Sequence, residues 1–473
     1  MSVLVPITLL GWVPAVLFLF AALPARRAVI AGFLLAWLFL PMAVYPIQGL
    51  PDYDKAFAAC GGILLATLLF DPQRYLSFRP SWVDVPMLVW CLVPLASSLS
   101  SGLGLYDGLS TVLRHGVVWG APYLIGRLYL RTPADLRALA LALFVGGLLY
   151  VPLCLYEVRM SPLLHYKIYG YHQHVWVQTQ RWGGWRPTVF MQHGLAVAMW
   201  MTTASLAGLW LWRTRRLPRW TLVPAGASVG LLLVTTILCK SAAALVLLAV
   251  GAATLWLGLR RRHATPLWVL LLLAPAYLGA RTVGDWDGGA LVSASRWIVG
   301  DRADSLQSRL DNEDRILANV YQRPVFGWGY AGWLVFETEH GAEGQATPDG
   351  LWVIAAGRNG AVGLLSLYAV FLVPAGLALR CVAARGAGLR LDETDVPLLA
   401  VLMALYAIDN CFNAMPNPVF MLMAGGLAAI AVSQPQPGAV RLGRRSVYHA
   451  ARPVPSGVAV SFGPSRASRP SGP

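Results

Sequence analysis

The residues best suited to chemistry lie in one polar stretch of the chain, between residues 282 and 350. Arg309 and Arg315 stand six residues apart, and His340 and Asp349 follow them. An arginine stays protonated and can form bidentate hydrogen bonds with phosphate oxygens, whereas a histidine or a carboxylate can accept the proton of an attacking hydroxyl. Together these side chains favour transfer of a group from a phosphate-activated donor to a hydroxyl acceptor.

Each of these residues also has a structural explanation. Asp349 directly precedes an apolar run, so it can equally well cap the helix that follows. Arg315 can pair with Asp311 one helical turn earlier, and a lone loop histidine such as His340 is usually a surface residue. If Asp349 is a cap, the candidate bases are His340, Glu337 and Glu339.

The composition excludes a water-soluble enzyme. Hydrophobic residues make up 57% of the 473 and charged residues 12%, against about 25% charged residues in soluble domains. A formal net charge of +15 would suggest nucleic-acid binding in a soluble protein. In a membrane protein, most of that positive charge is explained by the excess of Lys and Arg in cytoplasmic links between the helices. We therefore expect membrane lipids and no nucleic acid as partners.

The cysteine and histidine patterns predict neither a disulfide nor a metal. The six cysteines fall inside or at the ends of apolar segments and form no Cys-x-x-Cys pair. His172 and His174 are spaced to share a metal, but no carboxylate or cysteine accompanies them locally. We therefore expect no metal site and no cofactor.

Recurring apolar runs predict an all-α polytopic membrane protein with about 12–13 transmembrane helices. The predicted spans are residues 4–23, 28–47, 56–70, 85–100, 109–130, 136–156, 188–211, 221–238, 241–259, 264–281, 351–378, 396–411 and 416–433. Two long polar loops, at about 157–187 and 282–350, interrupt this transmembrane bundle of residues 1–433, and the second loop contains the candidate site.

The basic residues between the spans predict an orientation. By the positive-inside rule, the links that carry them are cytoplasmic. These clusters are Arg26/Arg27, Arg74/Arg79, Arg127/Arg131/Arg137, Arg213/Arg215/Arg216/Arg219, Arg260/Arg261/Arg262 and Arg380/Arg385/Arg390. The N-terminus and both long loops are then extracytoplasmic. The tail at 434–473 is predicted to be cytoplasmic and disordered, because it is rich in Pro, Ser, Gly and Arg. No basic residue precedes the first apolar run, which favours a retained helix over a cleaved signal peptide.

Two basic residues depart from this charge distribution and are further candidates. Lys240 stands in a very short link on the predicted outer side, where it either binds an anion or snorkels to the interface. Arg114 falls within a predicted span, where it either reaches a phosphate from the outer end of its helix or pairs with a buried acid such as Asp409.

Two motifs of the second loop resemble those of the O-antigen ligase and polysaccharide polymerase family, which are integral membrane glycosyltransferases. That family has an arginine upstream of Pro-x-x-Gly-x-Gly, and Arg309 precedes such a motif, at residues 324–329, by fifteen residues. The family also has a histidine or aspartate shortly before Gly-x-x-Gly, and Asp349 precedes Gly360-x-x-Gly363 by eleven residues.

Two segments earlier in the chain extend the resemblance. Lys240, in Leu238-Cys239-Lys240-Ser241, stands where the family has an arginine in a turn between two helices. Arg186 opens the segment Arg186-Pro187-Thr188-Val189-Phe190-Met191-Gln192-His193-Gly194, which is similar to the family's entry to a helix.

The resemblance implies a metal-independent, inverting enzyme that transfers or polymerises glycans. Its donor would be a polyprenyl-pyrophosphate-linked oligosaccharide, such as one on undecaprenyl pyrophosphate, and its acceptor a glycan or lipid. Arg309, Lys240 and Asp349 would be catalytic and Arg186 would bind substrate, while Arg315, Arg114 and His340 are further substrate-binding candidates. The protein would lie in the bacterial inner membrane and act in lipopolysaccharide or exopolysaccharide biosynthesis of the cell envelope.

The acceptor and the reaction type stay open between alternatives. Lysine for arginine at 240 and aspartate for histidine at 349 depart from the ligase pattern and favour a polymerase. Lipid A core, a growing repeat-unit chain and a protein are all possible acceptors. The main alternative is a transporter or flippase of lipid-linked glycans, whose essential residues would be spread through the depth of the bilayer.

Overall fold

The computed structural model describes residues 2–217, 224–284, 286–300, 303–337, 343–384 and 391–433. About 75% of these described residues are helical and almost none are in sheet. Within the described ranges the strands form three short antiparallel hairpins: β1 (Val44–Tyr45) with β2 (Tyr53–Asp54), β3 (Gln180–Arg181) with β4 (Gly184–Trp185), and β5 (Val335–Glu337) with β6 (Glu343–Gln345). The predicted tail at 434–473 lies outside the described residues.

Eighteen α-helices are present in the described ranges. In chain order they are α1 (Leu4–Ala22), α2 (Ala25–Phe39), α3 (Lys55–Phe70), α4 (Pro72–Leu76), α5 (Val85–Ser100), α6 (Leu105–His115), α7 (Ala121–Tyr129), α8 (Pro133–Met160), α9 (Leu164–Tyr169), α10 (Gly194–Arg213), α11 (Ala225–Leu238), α12 (Ala242–Arg261), α13 (Thr265–Thr282), α14 (Gly289–Val299), α15 (Ala303–Val320), α16 (Leu351–Ala383), α17 (Val396–Phe412) and α18 (Pro418–Ser433).

Six of these helices are long and apolar enough to cross a membrane. They are α1, α5 together with the helical turn before it (Trp82–Ser100), α8, α10, α12 and α16. The helices α3, α11, α17 and α18 are apolar but shorter. Each of the thirteen predicted spans contains a helix. The prediction of an all-α polytopic membrane protein is thus confirmed at this level.

Three predicted spans differ most from the helices in their bounds. The span at 28–47 is too long, because α2 ends at Phe39 and Pro41 follows. The span at 109–130 is divided into α6 and α7 by a π-helical turn at Gly116–Gly120. In the span at 188–211 the helix begins only at Gly194, so residues 188–193 lie outside the helix and can form part of a site.

One end of the bundle, here called the basic end, is held together by arginine–aspartate pairs between helix termini. Arg127 at the end of α7 donates from Nε to Asp84 at 2.7 Å. Arg26 at the start of α2 pairs with Asp135 at the start of α8. Arg216 donates to Asp395, before α17, at 3.0 Å. Links that the sequence assigns to one side of the membrane therefore do meet at one end.

The opposite end, here called the loop end, carries both long loops. Glu157 near the end of α8 is fully buried, and its carboxylate accepts backbone N–H groups of Leu164, Thr188 and Val189 at 2.8–2.9 Å. These three bonds hold the first loop against the bundle. The second loop contains α14 and α15, and α15 packs against α16.

Glycines allow α7 and α18 to pack backbone against backbone. A Cβ at Gly126 would overlap the carbonyl of Leu422, and one at Gly425 would overlap the carbonyl of Tyr123. Small residues at such crossings are a common device of helix packing in membranes. This contact fixes α18 and, through the turn before it, the end of α17.

The second loop is joined to α16 by main-chain hydrogen bonds at a break in that helix. Gly360 has φ 61°, and the helix is interrupted there. The amides of Trp328 and Gly329 donate to the carbonyls of Gly357 and Arg358 at 2.9 Å. In return, the amide of Ala361 donates to the Pro324 carbonyl at 2.7 Å. The segment 324–329 therefore satisfies backbone groups that the helix break leaves unpaired.

Candidate functional site

Arg309 lies on α15 and contacts the end of α17. Its Nη1 donates to the Phe412 carbonyl at 2.9 Å and to the Asn413 side-chain oxygen at 3.0 Å. Its Nε lies 3.9 Å from a carboxylate oxygen of Asp349, which is an ion pair but too long for a hydrogen bond. The guanidinium is held in place while 27% of its side chain stays exposed, so an anion can reach it.

Asp349 is not the cap of α16. The capping residue is Gly350, and among the described residues no backbone N–H of the helix donates to the Asp349 carboxylate. The capping alternative of the sequence analysis is therefore wrong. The side chain is 35% exposed and faces Arg309, so it is open to a substrate.

Lys240 and Arg186 meet at the turn between α11 and α12. The carbonyl of Lys240 accepts from Arg186 Nη2 at 2.9 Å and from Nε at 3.3 Å. Lys240 itself has φ 50°, a left-handed conformation that is strained for a residue other than glycine. Its ammonium lies 3.4 Å from the Trp182 carbonyl and directly over Gly184, in the β3–β4 hairpin.

His193, at the start of α10, lies within electrostatic range of both Arg186 and Arg309. It is 9% exposed, and its ring centroid is 4.3 Å from that of His174. Burial, together with the charges of His174, Arg186 and Arg309, lowers the pKa of His193 to about 3. We call Arg186, Lys240, Arg309 and His193 the basic cluster.

The hydrogen bond that His193 accepts determines which of its ring nitrogens carries the proton. Its Nδ1 accepts from the backbone N–H of Leu195 at 3.0 Å, which caps α10. A neutral imidazole that accepts at Nδ1 carries its proton on Nε2. His193 is therefore a neutral hydrogen-bond donor to the site rather than a base.

The remaining predicted residues are not joined to the basic cluster. Arg114 pairs with Asp54 and donates to the Asp52 carbonyl at 3.1 Å. The structural alternative for Arg114, pairing with an acid, is therefore confirmed, but the partner is Asp54 rather than Asp409, which accepts from Asn413 instead. Arg315 is exposed on α15, six residues from Arg309, which turns it to another face of the helix. His340 lies outside the described residues, as does Glu339.

Glu313 is a buried residue that supports the candidate site and that sequence reasoning missed. It lies on α15 with 2% exposure, and accepts from the Tyr277 hydroxyl at 2.9 Å and from the Trp352 indole at 3.1 Å. Arg281 lies 3.5 Å away. Burial raises the pKa of Glu313 to about 7. These contacts fix α15 against α13 and α16, and so position Arg309.

Sequence signals for the missed residues existed but were indirect. Glu313 falls on the apolar stripe of α15 between Leu310 and Leu317, where a carboxylate needs buried partners. His193 precedes an apolar helix, as a cap does.

The arrangement can bind an anion with several negative oxygens beside a carboxylate. No group of three metal-ligating side chains is found within the described ranges. No protein-family model matches the chain, and no match to a curated protein was found.

Proposed function

We propose that the chain is a membrane glycosyltransferase that transfers or polymerises glycans from a polyprenyl-pyrophosphate-linked oligosaccharide. The observation that carries the proposal is the basic cluster beside Asp349 at the loop end of an apolar helical bundle. A lipid-linked pyrophosphate presents its charge at the membrane surface, which is where this cluster lies if the loop end faces out of the cell.

The donor pyrophosphate would lie among Arg309, Arg186 and Lys240. The two arginines can form bidentate hydrogen bonds with phosphate oxygens, and the ammonium of Lys240 adds a localised positive charge. The Nε2–H of His193 would donate to the same oxygens. These groups offset the negative charge that grows on the pyrophosphate as its bond to the sugar breaks.

Asp349 would act on the acceptor. The acceptor hydroxyl oxygen forms a bond to the anomeric carbon while the bond from that carbon to the pyrophosphate oxygen breaks. The hydroxyl proton passes to the Asp349 carboxylate, and the polyprenyl pyrophosphate leaves with the bonding electron pair. A single displacement of this kind inverts the anomeric configuration. The 3.9 Å between Arg309 and Asp349 supports it, because donor and acceptor would be adjacent.

The proposal includes the cellular setting implied by the resemblance. The protein would span the bacterial inner membrane about twelve or thirteen times, with its loop end outside, and act in cell-surface or exopolysaccharide biosynthesis. Lys240 and Asp349, in place of arginine and histidine, favour a polymerase over a ligase.

The test is transfer from a defined lipid-linked oligosaccharide by the full chain in membranes. Each of the two variants removes one charge-assisted contact with the donor pyrophosphate. Arg309→Ala and Lys240→Ala should therefore each lower the transfer rate by about one to two decades. Arg296→Ala is the matched control, because Arg296 lies in the same loop, is 61% exposed and pairs with Asp304. Wild-type rates in both cluster variants, at normal protein levels, would reject the proposal.

The same variants distinguish the enzyme from a flippase. A flippase would move the lipid-linked glycan without forming a glycosidic bond and would need polar residues along the depth of the bundle. Accumulation of longer glycans that depends on Arg309 favours the enzyme, whereas movement of the donor without any product favours the flippase.

A further inference from the structure

A cavity of about 540 Å³ lies at the loop end of the bundle. Its walls come from α2, α3, α5, α6, α16 and α18 and from both long loops. None of the residues of the basic cluster lines it. Its volume is within the range of small-ligand sites, about 300–1,000 Å³, and is sufficient for one or two sugar rings.

The walls combine aromatic rings with side-chain amides. The rings belong to Trp37, Trp90, Trp119 and Tyr330, and the amides to Gln173, Gln192, Asn359 and Asn417. A sugar ring has apolar C–H faces that can pack on an aromatic ring, and hydroxyls that need donors and acceptors. This lining suits a sugar better than an acyl chain.

Two of the three cationic side chains that line the cavity already have partners within the protein. Lys55 donates to the Phe190 carbonyl at 2.7 Å and lies 5.3 Å from the Trp37 ring centroid. Arg114 pairs with Asp54. Neither is therefore the main anion-binding group of the cavity.

Arg358 on α16 is the third cation, and its side chain makes no hydrogen bond to any residue in the described ranges. Its guanidinium lies 4.5 Å from the Tyr330 ring centroid and 5.8 Å from that of Trp333. Its Nε is buried without a hydrogen-bond partner, and within the described part of the chain no acid pairs with it. A buried guanidinium N–H without an acceptor is costly, so the arrangement calls for an anionic ligand.

We propose that this cavity binds a sugar unit that carries a carboxylate, and that Arg358 binds the carboxylate. A guanidinium presents a planar fork that matches the two oxygens of one carboxylate. A single unpaired guanidinium matches a monoanion better than a phosphate dianion. The inference rests on the proposed function in taking the ligand to be a glycan, and it adds that the glycan contains uronic acid.

The test is direct binding to the purified full chain in detergent, by isothermal titration calorimetry. The probes are digalacturonic acid, its methyl ester and inorganic phosphate. The acid should bind at least about tenfold more tightly than the ester, since the ester removes the charge and keeps the ring. Phosphate should not compete. Equal binding of acid and ester, or displacement of the acid by phosphate, would overturn the proposal.

Variants then identify the residue. Arg358→Gln should remove the preference for the acid over the ester, and Arg358→Lys should keep only part of it, because lysine retains the charge without the fork. Arg323→Gln is the matched control: Arg323 lies 4.5 Å from the Trp328 ring centroid but does not line the cavity. Retention of the preference in Arg358→Gln would reject the role of Arg358. If that variant does not fold, the acid–ester comparison on the wild type still decides the main proposal.

Binding and transfer can fail separately. Arg309→Ala should lose transfer but bind digalacturonic acid normally, because Arg309 does not line the cavity. Wild-type protein that binds the acid but makes no glycosidic bond would refute the proposed function alone. Protein that transfers glycan but does not distinguish acid from ester would refute only the cavity proposal.

Discussion

Asp349 lies beside Arg309 with a third of its side chain exposed, and because it is not a helix cap, its substitution tests catalysis directly. Asp349→Asn keeps the size and polarity of the side chain but cannot accept a proton, so it should lose most transfer at a normal protein level. Asp349→His restores a base and should retain part of it. Glycan chain length on gels, alongside the membrane level of the protein, measures both variants.

The contrary outcome for Asp349 is informative as well. If Asp349→Asn makes normal product, the carboxylate does not accept the proton. The base would then have to be sought among Glu337, Glu339 and His340.

Glu313 predicts a pH dependence of stability. Its pKa in the folded protein, about 7, exceeds the ordinary value of 4.5, so folding favours the protonated carboxyl. This contribution to stability is fully present below about pH 4.5 and is lost as pH rises towards 7, by up to about 3 kcal/mol. Thermal unfolding of the protein in detergent should therefore occur at a lower temperature at pH 8 than at pH 5.

Glu313→Gln separates this carboxyl from other titrating groups. Glutamine keeps a carbonyl oxygen for the Tyr277 or Trp352 donor but does not ionise. The difference in unfolding temperature between pH 5 and pH 8 should shrink in the variant. An unchanged difference would show that Glu313 is not the group responsible.

The sequence pointed to some residues of the candidate site because their chemistry is unusual for their position. Lys240 became a candidate because a basic residue is unexpected in a short link on the predicted outer side, and Arg309 because it precedes a recognisable motif. His193 and Glu313 were missed because their roles depend on burial and on distant partners, such as Arg186 and Trp352. Those partners become visible only when the helices are packed.

At the level of elements, the junction between the segment 324–329 and α16 can be tested through its glycines. Gly327 has φ 70°, and a Cβ there would lie 2.6 Å from the Arg358 carbonyl carbon and the Gly360 nitrogen, which are backbone atoms. Gly327→Ala should therefore cost about 2 kcal/mol or more. Loss of thermal stability and faster proteolysis of the second loop are the readouts.

Gly102 provides the matched control for the junction. It has a similar φ of 74°, but nothing lies within 4 Å of the position of its Cβ. Gly102→Ala therefore bears the same conformational strain without the clash. If both variants lose the same stability, the close backbone approach at Gly327 has no energetic importance.

Helix positions were predictable where hydrophobicity alone determines them. The long runs that became α8 and α12 were recognised within a few residues of their bounds. The break at Gly360 and the π-helical turn at Gly116–Gly120 were not, because each depends on packing against other elements. The local sequence shows one side of such a contact, whereas the residues on the other side are distant in the chain.

At the level of the whole molecule, the pairs at the basic end join links on one side of the bundle, and labelling can test which side of the membrane that is. With the loop end outside, Ser293→Cys on α14 should react with an impermeant maleimide on intact cells, since Ser293 is exposed. Ser77→Cys at the basic end and Ser446→Cys in the tail should react only after lysis. The wild type, whose six cysteines are buried or half-buried, measures the background. Labelling of Ser446→Cys before lysis would contradict the orientation.

The junction between the segment 324–329 and α16 also constrains the order in which the protein is assembled. Residues 324–329 leave the ribosome before Ala361, so in the proposed orientation this segment crosses the membrane before its partner in α16 has emerged. Its carbonyl groups must stay hydrated until α16 is inserted. Completion of the candidate site is then a late step of biogenesis, and nascent chains that end before about residue 362 should expose the second loop to external protease even when every earlier helix is in place.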